Sequence, residues 1–113
     1  MSQRTNRVQK LAKQVLGEAI QELKDPRIGF TTVTAVRVSP DLRLARVFVS
    51  VLGSHDEQQE TMAGLESAKS HLRQELGRQV RMKYLPELIL ELDTGPETVE
   101  RLENLFKQIH EEN

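Results

Sequence analysis

The side chains in this sequence that could perform acid, base or nucleophilic chemistry lie far apart. The three histidines, His55, His71 and His110, fall in separate segments without the spacing of metal ligands. No serine sits in the glycine-flanked turn that exposes a nucleophile, and the chain has no cysteine. The six glycines occur singly, so no glycine-rich loop is present to hold phosphate. These patterns argue against an enzyme, and we expect neither a cofactor nor a metal.

Asp25 is one further candidate for catalysis, in the segment DPRIG. An aspartate in such a turn commonly bonds the local backbone, and the sequence offers no partner for a catalytic carboxylate there. A hydrolase that uses Asp25 or a histidine is therefore the weakest of the functional hypotheses.

The basic side chains are segregated along the chain, although the formal net charge is only -1. Residues 1–46 hold nine lysines and arginines against four acids, and residues 69–83 hold five against one. Residues 47–68 and 84–113 are acidic. A localised positive surface attracts phosphate whatever the total charge is. The ordinary alternative is a set of solvated faces on helices.

The aromatic residues are too few for a surface that stacks several bases, since only Phe30, Phe48, Tyr84 and Phe106 occur. Nucleic-acid binding would then depend on contacts of cations and helix N-termini with the phosphate backbone. We predict such contacts from two groups of residues. They are Lys69, Ser70, Arg73, Arg78, Arg81 and Lys83 in the second basic block, and Arg4, Arg7, Lys10 and Lys13 near the N-terminus.

Hydrophobic periodicity predicts the elements that position these residues. Apolar residues from Val8 to Leu23, Leu11 among them, recur at helical spacing and predict a helix that ends at Asp25-Pro26. FTTVTAVRVS and LARVFVSVL predict two strands of an antiparallel hairpin around the turn SPDL. Ser54 and Glu57 have the spacing of a capping box, and an apolar stripe of helical period runs from Met62 to Val80. The segment LPELILELD predicts a third strand. A last helix is predicted from TGPE, with an apolar stripe from Val99 to Ile109.

The segment SAKSHLR, residues 67–73, decides whether residues 62–82 form one helix or two. Periodicity permits both. On a helix that continues to Met82, Arg81 points directly away from the apolar stripe. If the chain breaks at AKS, a helix N-terminus, Lys69 and Arg73 converge on one spot, where the helix dipole adds to their positive charge. Gly77 inside this helix permits either the close approach of a ligand or close packing.

The stretches KDPRIGF, VSPDL and RMKYLPEL, in this order and spacing, resemble the ribosome-binding factor A family of bacteria. The resemblance runs from the first helix to the last and so covers nearly the whole chain. It implies an α+β fold, a single type II KH-like domain over residues 1–113 with helices packed on a three-stranded sheet. The implied order is α-β-β-α-kink-α-β-α, with the last few residues frayed.

In this family a kink with a small Ala-x-Gly motif stands where ordinary KH domains have a GXXG loop. The matching positions here are Ala68, Lys69 and Ser70, with serine in place of the glycine. A kink that needs a positive φ would strain a serine, whereas a glycine adopts that conformation without strain. We predict instead that the Ser70 hydroxyl caps the second helix by accepting from the backbone N–H of Arg73 or a neighbour.

The resemblance also implies a function. Family members bind the free small (30S) ribosomal subunit and its immature 16S rRNA, and they assist late maturation and rRNA end processing, especially in the cold, without catalysing cleavage. The implied protein is a cytoplasmic monomer that meets ribosomal proteins and other assembly factors but no membrane. The alternative is a KH-like protein-interaction module that uses the acidic residues 84–113 to hold a basic partner.

Overall fold

The computed structural model describes residues 3–93. Its elements are α1 (Gln3–Gln21), β1 (Thr31–Val38), β2 (Leu44–Val51), α2 (His55–Ser67), α3 (Lys69–Gln79) and β3 (Glu87–Leu92). This order confirms the predicted succession of elements up to the third strand. The predicted last helix and the frayed C-terminus lie outside the described residues.

Helix α1 buries one face, as its apolar spacing predicts. The buried positions on this face are Val8, Ala12, Val15, Leu16, Ala19 and Ile20. Leu11, which the periodicity placed on the same stripe, is 49% exposed and lies outside that face. The helix also ends at Gln21 and not at Asp25-Pro26. This early end allows Leu23 and Ile28 to pack against the core from the irregular segment that follows.

Strands β1 and β2 form the predicted antiparallel hairpin. Thr31 is paired with Val51 at one end of the hairpin and Val38 with Ala45 at the other. The register shifts between Val33 and Ala35, where a β-bulge places one extra residue in β1.

Strand β3 pairs with β2 in parallel, which makes a mixed sheet of order β1-β2-β3. A parallel pair needs a crossover connection, and α2 and α3 supply it on the face of the sheet that α1 also covers. Leu88 and Leu90 are buried on this face, as the alternation predicts. Pro86 immediately precedes the strand, where its missing N–H is tolerated.

The helices and one face of the sheet enclose the hydrophobic core. Leu65, Leu72 and Leu76 are completely buried in it, so truncation of any of them to alanine is expected to cost about 2–5 kcal/mol. Phe48 projects from the other face of the sheet and is nevertheless only 1% exposed. The strand alternation placed Phe48 on that face but did not predict its burial.

Helix α2 begins at the predicted capping box. The Ser54 hydroxyl accepts the Glu57 N–H at 3.2 Å, and the Glu57 carboxylate accepts the Ser54 N–H at 3.0 Å. The hydrogen bonds from Ser54 hold the pKa of Glu57 below its ordinary value.

Helix α3 ends at Gln79, short of the predicted end at Met82. Val80 is extended, with φ −119 and ψ 124, and its side chain is buried. Periodicity did not reveal this end, because Val80 continues the apolar stripe and neither glycine nor proline follows within three residues. Arg81 and Lys83 therefore lie in the loop that leads to β3, and the prediction of Arg81 on an exposed helix face is wrong.

Candidate nucleic-acid interface

The stretch 62–82 is divided into two helices at Ala68, which confirms the predicted joint. Ala68 has φ −91 and ψ 1, a conformation open to any residue type. The hydrogen-bond ladder is interrupted only locally, since the Ala68 N–H donates to Gly64 O at 3.1 Å and the Leu72 N–H to Ala68 O at 3.0 Å. Among the described non-glycine residues only Leu42 has a positive φ. Ser70 therefore has a negative φ, and a glycine at this position would relieve no strain.

The predicted cap by Ser70 is wrong. Ser70 lies inside α3, whose N-cap is Ala68, and no side chain caps this helix. A capping residue needs non-helical backbone just before the first turn, a position that Ala68 occupies. The first-turn N–H groups of α3 consequently have no side-chain acceptor.

Lys69 is the one cation at the joint, and its charge is partly compensated. Its Nζ lies 2.8 Å from Glu66 Oε2 on the last turn of α2. The joint is therefore less positive than the basic block in the sequence indicates.

Arg73 and Arg78 on α3 both have partners within the protein. Arg73 Nε donates to Pro86 O and its Nη2 donates to Leu85 O, each at 2.9 Å. Arg78 Nη1 lies 2.7 Å from Glu75 Oε1. Arg73 thus fixes the loop after α3, and Arg78 is partly neutralised.

The loop formed by residues 80–86 carries the other two cations of the second block. Arg81 and Lys83 are exposed, and neither forms an ion pair within residues 3–93. Leu85 packs this loop onto Gly77, where an added Cβ would lie 3.0 Å from Leu85 Cδ1. Gly77 is thus explained by close packing and not by a ligand.

The first basic group, Arg4, Arg7, Lys10 and Lys13, is exposed along α1. Gln9 Oε1 accepts the Val38 N–H at 3.1 Å, so α1 begins beside the end of β1. Lys10 and Lys13 line a groove of about 510 Å³ between α1 and the first half of β1. They therefore lie on the outer edge of the sheet, next to the edge strand β1.

Part of each group lies towards the end of the sheet where β1 ends and both β2 and β3 begin. The Glu87 N–H donates to Arg43 O at 2.8 Å there, which joins the start of β3 to the start of β2. The start of α1 and the loop of residues 80–86 lie at this same end. We call it the basic end and define it by Arg4, Arg7, Arg43, Arg81 and Lys83. Lys69 at the joint and Lys13 in the groove are not part of it.

Arg43 and Tyr84 are two residues of this end that the predicted site lacked. The Arg43 guanidinium carbon lies 4.7 Å from the centroid of the Tyr84 ring, and the tyrosine is 45% exposed. Each residue precedes a strand by no more than a few positions, but the sequence did not predict that these two strands are parallel neighbours. Parallel neighbouring strands begin at the same edge, so segments that lead into them come together.

The candidate residues for catalysis that fall within residues 3–93 do not come together in one site. His55 and His71 are exposed in separate helices, and His110 lies outside the described residues. The Arg27 N–H donates to Asp25 Oδ1 at 2.9 Å, and the Arg27 guanidinium lies 2.6 Å from Asp25 Oδ2. These hydrogen bonds lower the pKa of Asp25 to about 2, which makes it a poor general base at neutral pH.

Two further findings concern residues 3–93 as a whole. No group of three or more His, Asp or Glu side chains in this range could hold a metal ion. No helix in it has the length and hydropathy needed to cross a membrane.

The profile of the ribosome-binding factor A family matches residues 4–106. The chain belongs to this family. Ribosome-binding factor A of Brevibacillus brevis is 42% identical over 110 residues, which cover 96% of this chain and 91% of the relative.

Solved structures of ribosome-binding factor A have the same fold. The crystal structure of the Thermus thermophilus protein has a TM-score of 0.71 and 33% sequence identity, and the match covers 78% of this chain and 94% of the other. A homology model of the T. thermophilus protein, fitted into a cryo-electron microscopy map of its complex with 30S, has a TM-score of 0.62 and 32% identity, covering 81% and 93% of the two chains. The α+β arrangement of helices on a three-stranded mixed sheet is thus that of ribosome-binding factor A.

Proposed function

We propose that this chain is a non-catalytic assembly factor that binds the free small (30S) ribosomal subunit through its immature 16S rRNA, in the cytoplasm. The observation that carries the proposal is the basic end. It comprises five cations from α1, the start of β2 and the loop of residues 80–86 at one end of the sheet, and none of the five side chains pairs with a carboxylate in the described chain. The T. thermophilus relative in a complex with 30S supports the same partner.

The chemistry of the basic end suits the phosphate backbone of rRNA. Contacts to phosphate position a protein on nucleic acid and do not by themselves read sequence. The uncapped first turn of α3 is a second place where backbone N–H groups face phosphate in this proposal, with the charge of Lys69 beside it partly compensated by Glu66. The factor would therefore recognise the shape of an rRNA region more than its sequence.

The mechanism follows from binding alone. A bound protein shifts a conformational equilibrium only by its difference in affinity for the two states. We propose that the chain binds the immature conformation of 16S rRNA more tightly than competing folds and stabilises it. Late maturation and processing of the rRNA ends by other proteins then proceed on that conformation, and the mature subunit releases the factor.

A double and a single charge reversal, measured on purified free small subunits, test the proposal. Arg7→Glu combined with Arg81→Glu removes two cations of the basic end, and Lys24→Glu reverses an exposed cation near the opposite end of the sheet. Each phosphate contact adds about 0.7–0.9 to the slope of log affinity against log salt. We expect the double variant to bind at least tenfold more weakly and with a shallower slope, whereas Lys24→Glu binds like the unmodified chain. A folded double variant with unchanged affinity would refute the proposal.

The maturation role needs a cellular measurement. A strain depleted of the protein is complemented with each variant, and the ends of its 16S rRNA are mapped at low and ordinary growth temperature. We expect unprocessed ends to accumulate with the double variant, more strongly in the cold, and to disappear with Lys24→Glu. Normal ends in cells whose variant no longer binds the subunit would show that binding does not assist processing.

A further inference from the structure

Two cations lie over the Tyr84 ring at the basic end. The Arg43 guanidinium carbon is 4.7 Å from the centroid of the Tyr84 ring, and Lys83 Nζ is 5.5 Å from it. Both distances are within the range in which a cation interacts with the face of an aromatic ring. Even so, 45% of the tyrosine remains exposed to solvent.

The backbone that carries Tyr84 and Arg43 is held in place by hydrogen bonds on two sides. Arg73 donates two hydrogen bonds of 2.9 Å to Leu85 O and Pro86 O, immediately after the tyrosine. On the other side Arg43 O accepts the Glu87 N–H at 2.8 Å. Arg43 and Tyr84 are therefore brought together by the fold itself and not only by their mutual attraction.

The charges of Arg43 and Lys83 are available to a ligand. Neither side chain forms an ion pair with a carboxylate among the described residues. The nearby Asp41 carboxylate accepts from the Ser39 hydroxyl at 2.6 Å and from the backbone N–H of Arg43 at 3.2 Å. These hydrogen bonds, and to a smaller extent the attraction of the Arg43 charge, lower the pKa of Asp41, but the guanidinium forms no ion pair with it. A partly exposed tyrosine thus lies at the surface, with two cations over its ring that form no ion pair among the described residues.

We propose that Tyr84, Arg43 and Lys83 form a binding position for one unpaired nucleotide of single-stranded RNA. The base stacks on the Tyr84 ring in place of a cation that now lies over it, and Arg43 and Lys83 then pair with the phosphates on either side of the base. Sequence-tolerant stacking of this kind is how proteins hold single strands, whereas the bases of an A-form duplex are already stacked and inaccessible. The small number of aromatic residues excludes a platform for several bases but not a single position. The inference rests on the proposed binding of rRNA and adds to it a preference for an unpaired nucleotide.

The sequence provides a direct readout, because Tyr84 is the one tyrosine and there is no tryptophan. Tyrosine fluorescence of the unmodified chain is therefore that of Tyr84. We titrate the chain with a short oligoadenylate, with an abasic strand of the same length, and with an RNA duplex of matched phosphate number. Stacking predicts that the oligoadenylate quenches the fluorescence and that the abasic strand and the duplex do not. Equal quenching by the abasic strand, or no binding of the oligoadenylate, overturns the inference.

Variants provide the second arm, with affinity measured by fluorescence anisotropy of labelled oligoadenylate. Stacking of one base is worth a factor of about five to 150 in affinity, so Tyr84→Leu is expected to lose that much for the single strand and nothing for the duplex. Tyr84→Phe keeps the ring and should bind like the unmodified chain. Phe30→Leu removes another exposed aromatic ring, near the opposite end of the sheet, and should change nothing. Unchanged single-strand affinity of Tyr84→Leu overturns the inference.

Failure of this inference is distinguishable from failure of the proposed function. If Tyr84→Leu binds oligoadenylate normally while the double charge reversal at the basic end loses the small subunit, the nucleotide position is wrong and the proposed function stands. If the double reversal also binds the subunit normally, both are wrong.

Discussion

Arg73 on α3 holds the backbone of Leu85 through a 2.9 Å hydrogen bond from Nη2, and so ties the loop before β3 to the helix. The second bond of the same guanidinium, from Nε to Pro86 O, is equally short. We expect Arg73→Ala to lower the free energy of unfolding by about 1–3 kcal/mol, because two carbonyl groups lose a charged donor. Urea denaturation followed by circular dichroism measures the change.

Two comparisons separate this structural role from a simple charge effect. Arg78→Ala removes a cation of the same helix whose partner is the Glu75 carboxylate, and an exposed pair of this kind is worth at most about 1 kcal/mol. Arg73→Lys keeps the charge but not the planar fork of donors. If Arg73→Lys is as stable as the unmodified chain, the carbonyl contacts do not hold the loop.

Ser54 and Ser70 lie at the starts of α2 and α3, and their replacement by alanine is expected to change stability by different amounts. Ser54 caps α2 through its hydroxyl, whereas Ser70 lies within α3 and caps nothing. Ser54→Ala should destabilise the fold by about 0.5–2 kcal/mol. Ser70→Ala should change stability by less than about 0.5 kcal/mol, as surface substitutions generally do. Thermal denaturation of both variants measures this, and a larger loss for Ser70→Ala than for Ser54→Ala would contradict the assignment of the caps.

The elements with strong local signals could be predicted from the sequence. Alternation of β-branched residues identified both strands of the hairpin, and the spacing of Ser54 and Glu57 identified the start of α2. These signals are local, since each depends on residues within one element. The two helix ends that were predicted wrongly, at Gln21 and Gln79, both lie where buried residues beyond the helix continue its apolar pattern. There the core, and not the local sequence, decides where the helix ends.

The candidate site was less predictable than the fold. The sequence shows which residues are cations but not which cations already have partners. Arg73 donates hydrogen bonds to two backbone carbonyls of the loop before β3, which is distant from Arg73 along the chain. Lys69 forms an ion pair with Glu66. Arg43 and Tyr84 come together only through the parallel pairing of β2 and β3, a long-range contact without a local signal.

Asp25 gives a prediction that concerns pH. Its pKa is held at about 2, below the ordinary 3.8, chiefly by the side-chain hydrogen bond from Arg27. A carboxyl group with a lowered pKa in the folded state contributes its full stabilisation above the ordinary value, and the contribution is lost as the pH falls from 3.8 towards 2. We expect Asp25→Asn to flatten the decline of stability in this window, measured by urea denaturation at a series of pH values.

An NMR titration of the carboxyl groups checks the cause. Arg27→Gln should return the midpoint of Asp25 from about 2 towards 3.8. Glu57 is the control within the same experiment, because its pKa is lowered by Ser54 and should not respond to the substitution. An Asp25 midpoint that stays near 2 in Arg27→Gln would mean that Arg27 is not the cause.

Gly64 on α2 permits the close approach of the loop that follows α1. A Cβ added at Gly64 would lie 2.7 Å from Ile28 Cγ1, and Ile28 is itself packed against the core, so it cannot move freely. We expect Gly64→Ala to destabilise the fold by about 1–3 kcal/mol, as overpacking of a core does. Gly17→Ala is the matched control on α1, because no atom lies within 4 Å of its added Cβ.

Alanine at position 17 should gain about 0.5–1 kcal/mol from its better helix propensity, and the same gain is available at position 64. The difference between the denaturation midpoints of Gly64→Ala and Gly17→Ala therefore isolates the contact with Ile28. Shortening the neighbour in Gly64→Ala with Ile28→Val should recover part of the loss, because a smaller side chain makes room for the new methyl group. If Gly64→Ala is as stable as Gly17→Ala, the approach of Ile28 does not restrict position 64.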